Sequence, residues 1–318
     1  MSTASGTGAR CLAITGPTAC GKTELALALA RDFPLEIISM DSAMVYRGMD
    51  IGTAKPDRAT RSEVPHHLID ILDPEAAYSA GRFAADATRL VAEIAARGRL
   101  PLVVGGTMLY LKALREGIAP LPERDPAIRG RIDARAEQAG WEALHAELAV
   151  IDAEAAARIE PGDRQRIQRA LEVHAITGRP LSQLQRVGSE PSVIVESIAL
   201  MPRDRERLKT TIERRFGAMV EEGLIDEVRR LRKRPGLTAS SASMRAVGYR
   251  QVWAHLDGRW DWPEAARRAV AATRQLAKRQ LTWLRSDRQT ETLAADDPLL
   301  GDRLRSRVER HLKRLTLI

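Results

Sequence analysis

The stretch that decides the fold is CLAITGPTACGKTELALALAR, residues 11–31, in which an apolar run meets a glycine-containing loop and then a helical pattern. The apolar run at residues 11–15 predicts a buried strand, and residues 24–31 predict a helix. Between them, residues 16–23 fit the pattern G-x-x-x-x-G-K-[ST] in the strand-to-helix context that a phosphate-binding loop requires. The chain therefore opens with a predicted P-loop.

The glycines of this loop let backbone N–H groups turn inward around a phosphate, at a helix N-terminus whose dipole favours an anion. Lys22 adds a positive charge, and the Thr23 hydroxyl is a candidate ligand for Mg²⁺. The pattern predicts a bound phosphate chain without specifying the molecule that carries it. The residues predicted to bind it are Gly16, Pro17, Thr18, Ala19, Cys20, Gly21, Lys22 and Thr23.

Two further apolar runs, at residues 35–40 and 101–104, predict strands that end at Asp41 and at Gly105-Gly106-Thr107. A helical pattern at 80–97 separates them, and strands that alternate with helices predict a parallel sheet whose ligand lies at the carboxyl ends of its strands. Asp41 and Thr107 both follow such ends. Because the strand at 101–104 lacks the terminal acidic residue typical of ATP-hydrolysing P-loop proteins, ordinary ATP hydrolysis is disfavoured.

A different pattern begins near residue 121, where helical periodicity replaces apolar strands. Strand character returns at 193–200, and helices are predicted within 204–234 and 263–285. The predicted fold class is α/β: a P-loop NTPase-like parallel sheet flanked by helices, with a helical insertion domain. The predicted boundaries are 1–120 plus 190–318 for the catalytic core and its C-terminal RNA-binding helices, and 121–189 for the insertion.

The 318 residues carry a formal net charge of +8. Such a surface attracts a polyanion, although a solvated arginine-rich surface explains the excess equally well. Two cysteines are too few for a disulfide framework and lack metal-ligand spacing, which fits a reducing compartment. The first residues lack an apolar signal region and no run reaches the length of a membrane span, so we expect a cytoplasmic protein without a membrane partner.

Residues 41–56, DSAMVYRGMDIGTAKP, resemble the bacterial tRNA dimethylallyltransferase family. Further blocks resemble the same family in the same order along the chain, which a shared P-loop alone does not explain. These blocks are GPTACGKT at 16–23, HHLID at 66–70, VVGGTMLYLKAL at 103–114, DRQRIQRALEV at 163–173, RAVGYRQVW at 245–253 and ATRQLAKRQLTWLR at 272–285.

The resemblance implies that dimethylallyl pyrophosphate is the prenyl donor and that N6 of adenosine 37, beside the tRNA anticodon, is the acceptor. Residues 18–23 would then hold the pyrophosphate, with Thr23 on Mg²⁺ and Lys22 as a catalytic cation. Arg215 matches an arginine that reaches the same phosphates from the other side. Asp41 matches the general base, and Thr107 matches a hydroxyl that lines the reaction channel.

The tRNA contacts that the resemblance implies fall in four segments plus one isolated arginine. The adenine must leave its stack to reach a buried carbon, so recognition should use splayed bases and phosphates. Met44 and Thr211 depart from some relatives, which have Gln and Arg there. The implied contacts are Asp41, Ser42, Ala43, Met44, Thr107, Arg129, Gln165, Arg166, Ile167, Gln168, Arg169, Arg245, Gly248, Tyr249, Arg250, Arg274, Gln275, Lys278, Arg279, Gln280 and Arg285.

Each of these interpretations has a competing one. Asp41 could hold Mg²⁺ as in other P-loop proteins, Thr107 could cap the following helix, and Tyr249 could be a core residue. A basic stripe predicted along 263–285 could instead be a solvated face; it comprises Arg267, Arg274, Lys278 and Arg285. For the pair at 66–67 a structural or phosphate-proximal role is predicted, because two adjacent histidines seldom form a zinc site.

The main rival function is a small-molecule kinase that uses the loop for ATP and the insertion as a lid. A non-catalytic RNA-binding module is the second, but it leaves the loop, Asp41 and Thr107 without a role. We expect the protein to be a monomer.

Overall fold

The computed structural model describes residues 8–119, 121–186 and 193–315. Six strands form one parallel sheet in the order β3-β2-β4-β1-β5-β6. The strands are β1 (Ala9–Thr15), β2 (Leu35–Ser39), β3 (His66–His67), β4 (Leu100–Val104), β5 (Val193–Met201) and β6 (Glu291–Ala294). The predicted parallel α/β sheet is confirmed, and the central position of β1 places the P-loop at the middle of the edge where the strands end.

The α-helices of the described ranges are α1 (Lys22–Asp32), α2 (Arg58–Glu63), α3 (Ala80–Ala96), α4 (Met108–Glu116), α5 (Pro126–Ala139), α6 (Trp141–Ile151), α7 (Ala153–Arg158), α8 (Arg164–Thr177), α9 (Leu181–Arg186), α10 (Arg205–Glu221), α11 (Leu224–Arg232), α12 (Tyr249–Leu256), α13 (Trp262–Ser286) and α14 (Leu300–Leu315). Helices α1 and α14 cover one face of the sheet, and α3 and α4 cover the other. None of the helices in the described ranges is long and apolar enough to cross a membrane.

Successive side chains of β1 enter two different cores, as the alternation of a strand requires. Leu12 and Ile14 pack with α1 and α14 on one face. Cys11 and Ala13 pack with α3 and α4 on the other face. This double burial explains why the strands appear in the sequence as continuous apolar runs.

The chain divides into two compact units, one formed by Met1–Arg115 with Ser192–Ile318 and the other by Glu116–Pro191. The first unit contains the whole sheet. The second is a helical unit made of α5 to α9 around its own apolar core, in which Leu148 and Ile167 are fully buried. Three of its helices, α5, α7 and α8, begin at aspartate caps, such as Asp163, whose carboxylate accepts a hydrogen bond from the N–H of Arg166.

Two details of the first unit differ from the sequence prediction. The short strands β3 and β6 were not predicted, because two and four residues give too little pattern. The predicted helical region 204–234 is divided at Gly223, which adopts a left-handed φ of 100° and separates α10 from α11. A third cluster packs α10 to α13 against the segment that follows β2.

Candidate active site

The P-loop follows the carboxyl end of β1, and its two glycines adopt positive φ values that favour glycine. Gly16 has φ 148°, and a Cβ there would lie 2.7 Å from the Leu200 carbonyl oxygen. Gly21 has φ 84° and caps the start of α1. The two glycines of the motif thus bring the loop close to β5 and turn its N–H groups toward the N-terminus of α1.

The Lys22 side chain lies along this loop, with Nζ 3.1 Å from the Gly16 carbonyl oxygen and 2.6 Å from that of Pro17. The Cys20 Sγ atom is 3.7 Å from the same Nζ. All three side chains from Lys22 to Glu24 line the adjoining cavity. Lys22 is therefore held at the point where a phosphate bound by the loop would lie.

Gln280, in α13, ties the P-loop to the loop that follows β4. Its Oε1 accepts a hydrogen bond of 2.9 Å from the Thr18 N–H, and its Nε2 donates one of 2.8 Å to the Gly106 carbonyl. A Cβ on Gly106 would come within 2.5 Å of that Nε2 atom. The Gln280 amide thus joins two loops, and because the residue also lines both cavities, its predicted contact with tRNA stays a prediction.

Asp41 and Thr107 come together because they follow neighbouring parallel strands, β2 and β4. The Thr107 N–H donates to the Met40 carbonyl at 3.3 Å, and its hydroxyl accepts from the Ser42 N–H at 3.2 Å. The Asp41 Oδ1 atom accepts from the N–H groups of Ala43 and Met44, at 2.8 and 3.3 Å. One carboxylate oxygen therefore fixes the turn and leaves Oδ2 for other contacts.

Two adjoining cavities open at this edge of the sheet. The first, of about 850 Å³, contains the P-loop, and the second, of about 590 Å³, contains Thr107. Asp41, Thr53 and Arg215 line both cavities. A group bound in one cavity can therefore meet a group bound in the other beside the Asp41 carboxylate.

The first cavity is lined by charges of both signs, and one of its walls carries a group of arginines. Arg207, Arg214 and Arg215 of α10 face it together with Lys22. No ion-pair partner is found for these three arginines among the described residues. Of these arginines, only Arg215 was predicted from the sequence. Positions 207, 211, 214 and 218 have the spacing of one helical face, and this spacing could have indicated Arg207 and Arg214.

His66 also lines the first cavity, with Nδ1 2.7 Å from the Val64 carbonyl oxygen. Burial lowers its pKa, which favours the neutral ring at physiological pH. Nε2 of His67 lies 2.7 Å from a carboxylate oxygen of Glu36. Within the described ranges no three His, Cys, Asp or Glu side chains converge as a metal site.

The second cavity brings several predicted tRNA contacts together. It is lined by Ser42, Ala43, Thr107, Arg245, Gly248 and Arg279, with apolar walls from Leu109, Phe216, Met219 and Trp283. Leu109 is 59% exposed, so the cavity presents an apolar side chain to solvent. Met44 lies on the side of the first cavity instead. These apolar walls offer a surface on which the face of a planar ring can stack.

Tyr249 is a correction to the predicted tRNA contacts. It is fully buried in the core of α11, α12 and α13, and its hydroxyl donates to Glu227 at 2.5 Å. A side chain without exposed area cannot stack on a base. The competing interpretation, a core residue, is the one observed.

The basic stripe of α13 is not uniform. Arg267 is paired with Glu264 on its own helix, and Arg274 is paired with Glu213 of α10. Lys278 and Arg285 are exposed and have no ion-pair partner within the described part of the chain. Arg250 and Gln275 are also exposed but outside both cavities. The stripe therefore contains two cations that already have carboxylate partners and two that do not.

In the helical unit, two of the three arginines predicted to contact tRNA, Arg129 and Arg169, bind a buried carboxylate. Glu172 is fully buried and accepts hydrogen bonds from Arg129 at 2.7 and 2.9 Å and from Arg169 at 2.7 Å. Burial raises the pKa of Glu172, but these hydrogen bonds and the Asp125 N–H outweigh it and lower the pKa to about 2. Both guanidinium groups are therefore part of the fold of this unit.

The neighbouring positions of α8 have different surroundings. Ile167 is fully buried in the apolar core, which corrects its prediction as a contact. Gln168 donates to Asp133 at 2.6 Å. Gln165 and Arg166 are exposed, and Arg166 pairs with Asp163 at 3.3 Å.

The fold and site define a P-loop α/β protein in which a cavity at the P-loop, lined by Lys22 and several arginines, adjoins a second, largely apolar cavity. A family model described as IPP transferase matches residues 44–287, more than half of the chain. The chain belongs to the IPP transferase family.

Named relatives and solved structures agree with this assignment. The tRNA dimethylallyltransferase of Leptothrix cholodnii is 57% identical over 94% of this chain and 94% of its own, and that of Alkalilimnicola ehrlichii is 58% identical over 87% and 88%. A tRNA isopentenylpyrophosphate transferase from Bacillus halodurans superposes with a TM-score of 0.69 at 38% identity, covering 97% of this chain and 98% of that one. A eukaryotic dimethylallyltransferase acting on tRNA gives 0.73 at 25% identity, covering 92% and 75%.

Proposed function

We propose that this chain is a tRNA dimethylallyltransferase, which transfers the dimethylallyl group of dimethylallyl pyrophosphate to N6 of adenosine 37 and releases pyrophosphate. The observation that carries the proposal is the position of Asp41 between the two cavities. A donor bound at the P-loop and a base bound beside Thr107 would meet there. The names of the relatives support the same reaction.

In this proposal the first cavity holds the donor by its pyrophosphate. The P-loop N–H groups, Lys22 and Arg215 surround the phosphates, with Arg207 and Arg214 adding positive charge. As the allylic C–O bond breaks, negative charge grows on the pyrophosphate, and cations fixed in place stabilise it. Each such donor is often worth roughly 3 to 4 kcal/mol of the barrier.

A magnesium ion fits the donor set at the P-loop. Thr23 offers its hydroxyl in the first cavity, and Mg²⁺ commonly binds through one or two protein groups, substrate phosphates and waters. We propose Thr23 as its protein ligand. When bound, the ion would neutralise part of the charge on the phosphates.

The second cavity would receive the adenine after it leaves the anticodon stack. N6 attacks the allylic carbon, the carbon–oxygen bond breaks, and the electron pair leaves with the pyrophosphate. The proton lost from N6 passes to the Asp41 carboxylate, whose Oδ1 is fixed by the turn. A general base of this kind contributes about 10² to 10⁴-fold to the rate.

For the nucleic acid we propose that the anticodon stem-loop contacts residues 42–43, 245–248 and 279 at the second cavity. The exposed residues Gln165, Arg166, Arg250, Gln275, Lys278 and Arg285 are proposed as further contacts. We also propose that the protein acts as a monomer in the cytoplasm, where tRNA is modified.

The direct test incubates purified protein and Mg²⁺ with dimethylallyl pyrophosphate and an unmodified tRNA that carries adenosine 37. Nucleosides from the digested tRNA are then separated and weighed by mass spectrometry. We expect N6-isopentenyladenosine from this tRNA and none from a matched tRNA with guanosine 37. Absence of the product from the adenosine 37 substrate would contradict the proposal.

A further inference from the structure

Glu227, in α11, is a buried carboxylate that binds the backbone of a distant loop. It is 2% exposed. Its Oε2 accepts from the N–H groups of Asp50 and Ile51, both at 2.9 Å, and its Oε1 accepts from the Gly52 N–H at 3.3 Å and from the Tyr249 hydroxyl at 2.5 Å. One side chain thus joins three consecutive amides to the first residue of α12.

The two segments that Glu227 joins form different walls of the site. After the bound amides, Thr53 lines both cavities, and Ala54 and Pro56 line the first. Just before Tyr249, residues 245–248 line the second cavity. The contact between these walls is close, because a Cβ on Gly52 would lie 2.5 Å from the Tyr249 ring.

We propose that Glu227 and Tyr249 are positioning residues, which hold residues 50–56 against residues 245–249 so that donor and adenine meet at Asp41. This inference rests on the proposed function. A buried carboxylate is costly unless hydrogen bonds replace its hydration. Here the groups that replace it are the amides of the loop, so the carboxylate stabilises one particular loop position.

The same loop has a second anchor next to the first. The Lys55 side chain is only 1% exposed, and its Nζ donates to carboxylate oxygens of Asp50 and Asp70, each at 2.6 Å. With Lys55 holding one side, loss of Glu227 should shift the loop rather than release it. A displacement near 1 Å at a reacting site can cost about 10²-fold in rate.

The test compares Glu227→Gln, Tyr249→Phe and Gly52→Ala in the full chain. Glu36→Gln is the matched control, because Glu36 is also a buried carboxylate of this unit, lies at the opposite end of β2 from Asp41 and pairs with Arg97. The rate of single-turnover transfer is measured at saturating tRNA and divided by the folded fraction of each variant. The Kd for tRNA is measured separately. Hydrogen exchange of residues 50–56 is measured without substrates.

We expect Glu227→Gln and Gly52→Ala to slow transfer per folded molecule by about 10 to 100-fold. Tyr249→Phe, which keeps the ring and three of the four hydrogen bonds to Glu227, should be slowed by a smaller factor. The Kd for tRNA should change less than about threefold in all three, since positioning acts on the chemical step. Glu36→Gln should lose stability but keep the wild-type rate per folded molecule, and Glu227→Gln should exchange faster at residues 50–56.

Wild-type rates per folded molecule in both Glu227→Gln and Gly52→Ala would overturn the inference, because a purely structural role changes only the folded fraction. If Glu227→Gln does not fold, Gly52→Ala decides by the same criterion. If the wild-type protein transfers no prenyl group, it is the proposed function that fails. In that case hydrogen exchange still tests whether Glu227 holds the loop. Unchanged exchange at residues 50–56 in Glu227→Gln would overturn this part of the inference.

Discussion

Two regions with family matches use their polar side chains in different ways. The first is formed by the P-loop, Asp41 and Thr107, and the second is the part of the helical unit that contains Arg129 and residues 165–169. In the first, Asp41 and Thr107 satisfy backbone N–H groups and still face a cavity. In the second, Arg169 is held with Arg129 by the buried Glu172. A family match therefore shows that a side chain matters, but only the structure shows whether it serves a ligand or the fold.

The largest expected effect belongs to the phosphate side of the first region. Lys22→Ala removes a cation held on the P-loop, so we expect single-turnover transfer to slow by about 10² to 10³-fold. The Kd for tRNA should stay within about threefold, because the lost charge acts on the donor. Rapid-quench measurement of labelled tRNA gives the rate. A larger change in the Kd than in the rate would place Lys22 on the RNA instead.

Asp41→Asn should slow transfer by about 10²-fold or more. The amide oxygen of Asn can still accept from the Ala43 and Met44 N–H groups, so the turn should keep its shape while the proton acceptor is lost. The same assay measures it, with the Kd for tRNA as the control. An unchanged rate would remove Asp41 from the chemistry and leave it a structural cap.

The second region predicts an effect on stability rather than on chemistry. Arg129→Met removes two hydrogen bonds to Glu172 but leaves Arg169 in place, so we expect a loss of local stability of roughly 1 to 3 kcal/mol. Hydrogen exchange in α5 and α8 measures the local free energy of opening. Arg166→Met, at an exposed position of the same unit, is the matched control and should have little effect.

This stability contribution should depend on pH with a defined sign. The pKa of Glu172 falls from 4.5 to about 2 in the folded chain, so its contribution is present above about pH 4.5 and is lost as the pH falls toward 2. Arg129→Met raises the folded pKa and should weaken that dependence. An equally steep loss of stability in Arg129→Met and the wild type between pH 5 and 3 would contradict the assignment.

The smallest effect is expected from α13. Replacing Lys278 and Arg285 by Ala should flatten the salt dependence of tRNA binding by roughly 0.7 to 0.9 in log-log slope per lost phosphate contact. Replacing Arg267 and Arg274 should flatten it less, since both pair with carboxylates. Equal slopes for the two double variants would show that these pairs open when RNA binds.

The sequence predicted the elements that are continuous in the chain and missed those that depend on distant partners. The strand, loop and helix from Cys11 to Arg31 follow from one uninterrupted pattern, as does the position of Asp41 at a strand end. The burial of Tyr249 and the pairing of Arg129 with Glu172 do not, because their partners are 22 and 43 residues away. No local spacing marks such contacts.

The measurement that tests the central claim most directly is label transfer with and without ATP. Apart from ATP, the reaction contains only purified protein, Mg²⁺, labelled dimethylallyl pyrophosphate and a tRNA with A36-A37-A38. If the P-loop holds the pyrophosphate that leaves, label should enter the tRNA at full rate without ATP. Label that enters only while ATP is hydrolysed would contradict the account and return the P-loop to a kinase-like role.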